Sequence, residues 1–339
     1  MKRGLKVFTL VFVWVLIVSF FCVLVGPTIE SKAATDIEVT SLEDFYDKLA
    51  QQINDRDLYK NYKVPNLSVR DDIVNMELSD FANHYNPDNP LVSGCYLNYY
   101  LDAIYFEYNN SSIKTKIKFP YNQGEMDKHF DKLKNLSERL KGKSDYDTVV
   151  NVHDYLIENF EYDYSTSMVN HTDIDGFRDG VMVCSGYGLA AYYLLNTNGV
   201  ETRIITGYGG EGEGSANHLW NMVKLDGEWY NLDITWDDMG KGGKKYDYFL
   251  KSDKDFPRHI RIGDYSVNGE SIRSAKKSYK HPFYIKNPND IPTLFFGVFI
   301  AGLVIFVYVK KAKKKKEEES YKGLGYVVDD VYGDFDADQ

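Results

Sequence analysis

Three residues that could perform acyl transfer stand in chain order at Cys184, His218 and Asp233. Cys184 lies in Gly180-Val181-Met182-Val183-Cys184-Ser185-Gly186-Tyr187, His218 in Asn217-His218-Leu219-Trp220-Asn221, and Asp233 in Asn231-Leu232-Asp233-Ile234-Thr235-Trp236. A thiol nucleophile, a base and a carboxylate that orients the base are the parts needed to make and resolve a thioester. The chemistry requires the three to meet, so the question passes to the elements that carry them.

Asp226-Gly227 is a two-residue hairpin signal between strand-like runs His218–Leu225 and Glu228–Trp236. With only those two residues in the loop, Leu225 pairs with Glu228, Met222 with Asn231 and Trp220 with Asp233. His218 then lies opposite Thr235, and alternation puts His218 and Asp233 on one face as diagonal neighbours. Leu219, Val223, Leu225, Tyr230, Leu232, Ile234 and Trp236 take the other face as core. A slip of one residue would exchange the faces, so the apolar pattern fixes the register.

For Cys184 the sequence predicts a helix start. Leu189, Ala190, Tyr193 and Leu194 keep helical spacing until the stop signal Asn196-Thr197-Asn198-Gly199. Free N–H groups and the macrodipole at that end favour a thiolate and could form part of an oxyanion hole. Gly186 and Gly188 would leave the first turn open, and Gly186, Tyr187, Trp220 and Trp236 are the candidate substrate contacts. Ser185 lacks a nucleophile-elbow setting. His153 sits in the stripe Val149, Val152, Leu156, Phe160 of an amphipathic helix and reads as packed and hydrogen-bonded. The stretch from Gly207 to Gly214 lacks the ending of a phosphate loop and reads as a lid beside His218.

These motifs together resemble the bacterial transglutaminase-like superfamily, from about Ser144 to about Ile260. The resemblance rests on the Asp-Gly-Val-x-Val-Cys-x-Gly-Tyr setting of Cys184, on Gly207 with the glycines leading to His218, and on Trp229 through Asp238. His153-Asp154-Tyr155-Leu156 and Tyr248 through Asp253 extend it. It implies an α+β, papain-like core in which a helix bearing the cysteine packs on an antiparallel sheet bearing His218 and Asp233. It also implies that these three are nucleophile, base and orienter in a cysteine peptidase, amidase or acyltransferase acting on a protein or peptide. The alternative is a catalytically idle binding or assembly module of the same fold.

No cofactor and no metal are expected. Asp237, Asp238, Glu211 and Glu213 could offer oxygen ligands to calcium, but they form no EF-hand spacing, and no His or Cys cluster suggests zinc. The chain of 339 residues carries a net charge of −10, which gives no support to nucleic-acid binding. Its three cysteines include Cys22 in an apolar run, leaving Cys95, read as a buried thiol, and Cys184, so no disulfide framework is expected.

Two apolar runs flank the soluble part. Val7 to Val25, preceded by Lys2, Arg3 and Lys6, reads as a cleaved signal peptide over residues 1–34, with a retained anchor as the alternative. Ile291 to Val309, followed by a lysine run from Lys310, reads as a transmembrane helix with the C-terminus in the cytoplasm. The expected organisation is an accessory α+β region over 35–140, the catalytic domain over 141–282, a stalk over 283–290, the span over 291–309 and a cytoplasmic tail over 310–339. On that layout the protein is a membrane-tethered extracellular enzyme, with cell-wall peptide or surface protein as its substrate. Within the accessory region, Ser41 to about Lys60 reads as a helix, Tyr96 to Tyr108 as a strand, and Ile113, Ile117 and Phe119 alternate with Lys114, Lys116 and Lys118 as a second strand. A polar helix from Glu125 to about Lys141 follows, and Ser144 opens the next one with a capping box.

Overall fold

The computed structural model describes residues 37–165, 171–210, 216–238, 246–263, 265–267, 270–280 and 308–313. The chain divides into one compact unit over residues 1–279 and a second over 280–339. In the second, the described residues 308–313 form a short exposed helix.

The first unit begins with strand β1 (Ile37–Glu38), helix α1 (Leu42–Asn54) and strand β2 (Tyr59–Lys63), then helices α2 (Leu67–Val74), α3 (Leu78–Asn83) and α4 (Gly94–Leu97). Strands β3 (Ala103–Tyr108) and β4 (Ser112–Lys118) complete a four-stranded sheet in the order β1-β2-β4-β3. The lysine alternation of β4 holds: Ile113, Thr115 and Ile117 are buried while Lys114, Lys116 and Lys118 are exposed. Two expectations shift. The first helix ends at Asn54 and leaves Leu58 exposed, because the chain turns there into β2. The strand expected from Tyr96 starts only at Ala103, because Gly94–Leu97 is helical and Tyr96 and Tyr100 point into the core.

Helices α5 (Gln123–Leu140) and α6 (Asp145–Asn159) follow, each capped by a side chain: Asn122 accepts from the Glu125 N–H and Ser144 from the Asp147 N–H. Short strands β5 (Glu161–Tyr162) and β6 (Val181–Met182) pair in parallel around helix α7 (Asp173–Asp179). Helix α8 (Cys184–Thr197) is the centre of the unit, with every residue from Ser185 to Leu195 buried except Tyr193. A helix apolar on all sides must be covered on all sides. Helices α5, α6 and α7 and strands β7 and β8 pack around it. It stops where Gly199 turns left-handed at φ +82°.

The second sheet has the order β10-β7-β8-β9, wholly antiparallel, built from β7 (Thr202–Gly209), β8 (Ala216–Leu225), β9 (Glu228–Leu232) and β10 (His259–Arg261). The Asp226-Gly227 turn closes with φ of +52° and +83°, so both residues are left-handed, as the tightest hairpins require. Leu225 pairs with Glu228 and Met222 with Asn231, as the hairpin signal predicts. The β9 strand, however, ends at Leu232, and Ile234–Asp238 forms helix α9. Gly207 and Gly209, expected in a loop, are strand residues of β7, and Gly210 follows as a bend; residues 211–214 of that stretch lie outside the described residues.

The expected membrane placement needs correcting. Among the described residues no helix is long and apolar enough to cross a membrane. The proposed segment 1–34 and residues 291–307 of the expected span lie outside the described residues. The extracellular address, and the cell-wall or surface substrate inferred from it, are not retained.

Candidate active site

Cys184 is the first residue of α8 and is half-buried. Val183 before it is the N-cap and offers no side-chain acceptor, so the cap leaves the N–H groups of the first turn uncommitted beside the thiol. The Ser185 hydroxyl donates to the His171 carbonyl, which ties it to the framework. Gly186 and Gly188 do not open the turn. A Cβ on Gly186 would lie 2.7 Å from Met182 Cβ, and one on Gly188 would lie 2.0 Å from Leu219 Cδ2. Both glycines let α8 settle against β6 and β8.

Asp233 stands between β9 and α9, and its two carboxylate oxygens divide the work. Oδ1 accepts the Trp236 N–H at 3.1 Å, capping the short helix. Oδ2 is thereby aimed at His218 and accepts from Nε2 at 2.7 Å. Asp233 is buried and the His218 side chain is 7% exposed. Burial alone would lower the His218 pKa, but the charge and hydrogen bond of Asp233, joined by contact with Cys184, outweigh it and hold the ring at about 10. Burial pushes the Asp233 carboxyl up, while its histidine partners, His218 foremost, pull it below the ordinary carboxylate range. The paired shifts favour imidazolium at His218 and carboxylate at Asp233, with Cys184 in contact with the His218 ring.

A second histidine reaches the same carboxylate. His259 Nε2 lies 2.9 Å from Asp233 Oδ2, and His259 Nδ1 lies 2.9 Å from the Pro257 carbonyl oxygen. Its ring stacks on Phe256 at 3.9 Å and abuts Trp236 at 4.3 Å. Nothing local in the sequence marks His259, because it arrives from β10, the edge strand, through a tertiary contact. The donors of His218, Asp233 and His259 lie within 4.8 Å of one another, which is the geometry of a small metal set. Contacts of 2.7 and 2.9 Å are nevertheless hydrogen-bond lengths, shorter than the roughly 3.3 Å between adjacent ligands of a tetrahedral zinc. Protons, not an ion, suit that spacing.

Asp237 and Asp238 have other tasks. Asp237 Oδ2 faces His153 Nε2 at 3.2 Å while its Oδ1 accepts the Tyr248 N–H at 2.9 Å. Asp238 accepts the Tyr187 hydroxyl. Glu211 and Glu213 lie outside the described residues. His153 is fully buried on α6 between Tyr246 and Phe249, and Asp154 takes its other nitrogen at 3.0 Å. Burial opposes its charge, but the two carboxylates raise its pKa.

The candidate substrate contacts separate. Gly186, Tyr187 and Trp220 are buried and serve the framework; the Trp220 indole donates to Asn231 Oδ1 at 3.2 Å. Trp236 is only half-buried and lies 5.6 Å from the His218 ring, on the site side instead of the expected core face. It moves there because the chain becomes helical after Asp233. Two tyrosines not singled out in the sequence, Tyr99 from the N-terminal region and Tyr162 after α6, stand close enough to feel a charge on Cys184; burial is the main cause of their raised pKa.

Residues 134–234, a span containing all three candidate groups, match the transglutaminase-like superfamily. No curated protein matches the chain. Among solved structures, the chain is similar to a proposed cysteine protease from Cytophaga hutchinsonii at 17% identity, covering 55% of this chain and 80% of that one with a TM-score of 0.28. A protein described as a TGase is 15% identical over 65% of this chain, with a TM-score of 0.31; the match spans 64% of that protein, just under two thirds of it. The calcium-bound form of LapG from Legionella pneumophila is 20% identical over 48% of this chain and 87% of its own, with a TM-score of 0.30. Within a chain of mixed α+β structure, residues 134–234 are thus similar to a transglutaminase-like domain.

Proposed function

We propose that the protein is a cysteine enzyme that cleaves or transfers the acyl group of an amide bond in a protein or peptide. The observation that carries this reading is the 2.7 Å contact between His218 Nε2 and the buried Asp233 carboxylate, made beside a thiol at an uncapped helix start. Occupation of Nε2 leaves His218 Nδ1 for Cys184. The thiolate attacks the carbonyl carbon and forms the C–S bond, and uncommitted N–H groups of the α8 first turn stabilise the oxyanion. As the C–N bond breaks, the His218 imidazolium gives its proton to the departing amine. Water or a second amine then attacks the thioester, His218 takes the proton, and the thiolate leaves with its electron pair. Asp233 keeps the ring in the required tautomer throughout. Tyr99 and Trp236 are the candidate walls for the substrate.

The test is the pH dependence of iodoacetamide alkylation of Cys184 in the full-length protein, read by mass spectrometry, with His218→Ala alongside. Rapid labelling well below pH ~8.5 that disappears in the variant is the expected result. An ordinary thiol profile, unchanged by the substitution, would overturn the reading. Hydrolysis and amine incorporation on a peptide library then separate peptidase from transferase.

A further inference from the structure

We infer that His259 is a positioning residue that supplies a fixed positive charge behind Asp233, an inference that rests on the acyl-transfer reading of Cys184, His218 and Asp233. Each ring nitrogen of His259 faces an oxygen that can only accept: the Pro257 carbonyl at Nδ1 and the Asp233 carboxylate at Nε2, both at 2.9 Å. A neutral imidazole has one N–H and would turn a lone pair toward one of these oxygens. The imidazolium satisfies both. Its side chain is 1% exposed, so water cannot replace either partner.

The backbone is shaped to hold the ring there. Arg258 is left-handed at φ +63°, a conformation that non-glycine residues rarely adopt without a reason, and it turns the chain so that His259 enters β10 facing Asp233. Phe256 and Trp236 confine the ring on both sides. Opposite it in β7 stands Gly209, whose missing side chain spares His218, since a Cβ there would lie 3.1 Å from His218 Cβ, Cγ and Cδ2.

The charges explain the arrangement. On the acyl-transfer reading the attacking Cys184 thiolate, the His218 imidazolium, the Asp233 carboxylate and the His259 imidazolium alternate in sign and sum to zero. Removing His259 leaves the same buried row with a net negative charge, which disfavours the thiolate and favours the protonated His218. The other groups facing His259 are Tyr248, 5.5 Å away ring to ring, and Arg258, which hydrogen-bonds that tyrosine and lies over Trp236. Asp237 stands behind Asp233 and is paired with His153, and Arg261 of the same strand is paired with Asp253. Tyr162 is near enough to feel the Asp233 charge. None of these supplies a second cation to Asp233 among the described residues.

His259→Gln in the full-length protein tests this, because glutamine can still donate to Asp233 but carries no charge. Both limbs of the Cys184 alkylation and activity profiles should move to higher pH by about two units, the order expected for a charge 5.4 Å from the His218 ring at an effective dielectric near 20. A merely structural role would lower the profile without moving it. Superimposable limbs in wild type and variant would overturn the role of His259 while leaving the acyl-transfer reading in place. An ordinary thiol profile in the wild type itself would overturn both. Histidine-selective ¹⁵N NMR of the wild type gives a reading independent of the variant's folding: two protonated ring nitrogens on His259 at pH 7 are expected, and one bare nitrogen would refute the inference.

Discussion

Asp233 does three things with one carboxylate: it caps α9, orients His218 and receives His259. Asp233→Asn keeps the shape and the cap but turns an N–H toward one of the two rings. Activity should fall by about 10³–10⁴-fold, measured as kcat/KM on a peptide amide, with the far-ultraviolet spectrum retained. Stability should change with pH as well. The His218 pKa is raised in the fold, so its contribution is complete below about 6.5 and is lost as pH rises through about 10. Asp233 is lowered, so its contribution is present above its unfolded value near 3.9 and is lost as pH falls through its folded one. Urea midpoints of the wild type should therefore decline from pH 7 to 10. In Asp233→Asn the midpoint should start lower, by an equivalent of about 3 kcal/mol, and the alkaline decline should flatten. A decline that persists unchanged would show that the pair does not couple to folding.

The elements explain which parts of the site could be read from sequence. The β8–β9 register follows from two turn residues and an alternating pattern, both local, and it brings His218 to the end of the strand that carries Asp233. The strand's overrun past Leu232 follows from the same locality: Ile234 and Trp236 continue the alternation, and only the Asp233 cap, formed in three dimensions, turns the chain into α9. His259 escapes notice because β10 contributes three residues without a motif and meets Asp233 26 positions later in the chain. Glycines mislead in the opposite sense. Gly207 reads as a loop residue, yet β7 needs it because a Cβ would lie 2.1 Å from the Ile260 carbonyl oxygen of β10. Gly207→Ala should therefore force β7 and β10 apart, lower stability by about 1–3 kcal/mol in urea unfolding and displace His259. Gly124→Ala, in the first turn of α5 with nothing nearer than 3.6 Å to its Cβ, should be neutral or stabilising by up to ~1 kcal/mol. Equal losses at the two positions would show that glycine entropy, not close approach, governs both.

At the scale of the whole first unit, the N-terminal sheet and the helix bearing Cys184 share one hydrophobic core. Phe45, Tyr62, Tyr96 and Tyr100 from the first region cluster with Ile174, Leu189, Tyr192, Ile204 and Leu219 from the second. A polar tie runs through that core. Fully buried Asp173 accepts the Tyr100 hydroxyl at 2.7 Å on one oxygen and faces His129 Nε2 at 3.0 Å on the other, while Tyr192 donates to the Pro90 carbonyl at 2.7 Å. The carboxylate, on one side of the seam, needs both donors from the other, because a buried charge short of a partner costs about 1–3 kcal/mol or more. Two regions joined in this way should melt together. Tyr100→Phe removes one oxygen and changes little volume, so its effect reports the tie together with the Tyr96 hydroxyl contact at 3.0 Å. We expect a single unfolding transition in the wild type, detected with the same midpoint by tyrosine absorbance and by exposure of Cys184 to a thiol reagent. In the variant both probes should shift down together by the equivalent of about 1–3 kcal/mol. If Cys184 kept its original midpoint while absorbance shifted, the N-terminal region would be an independent appendage. A joint shift would make it one folding unit with the site, with Tyr99 and Cys184 both packed against the same core.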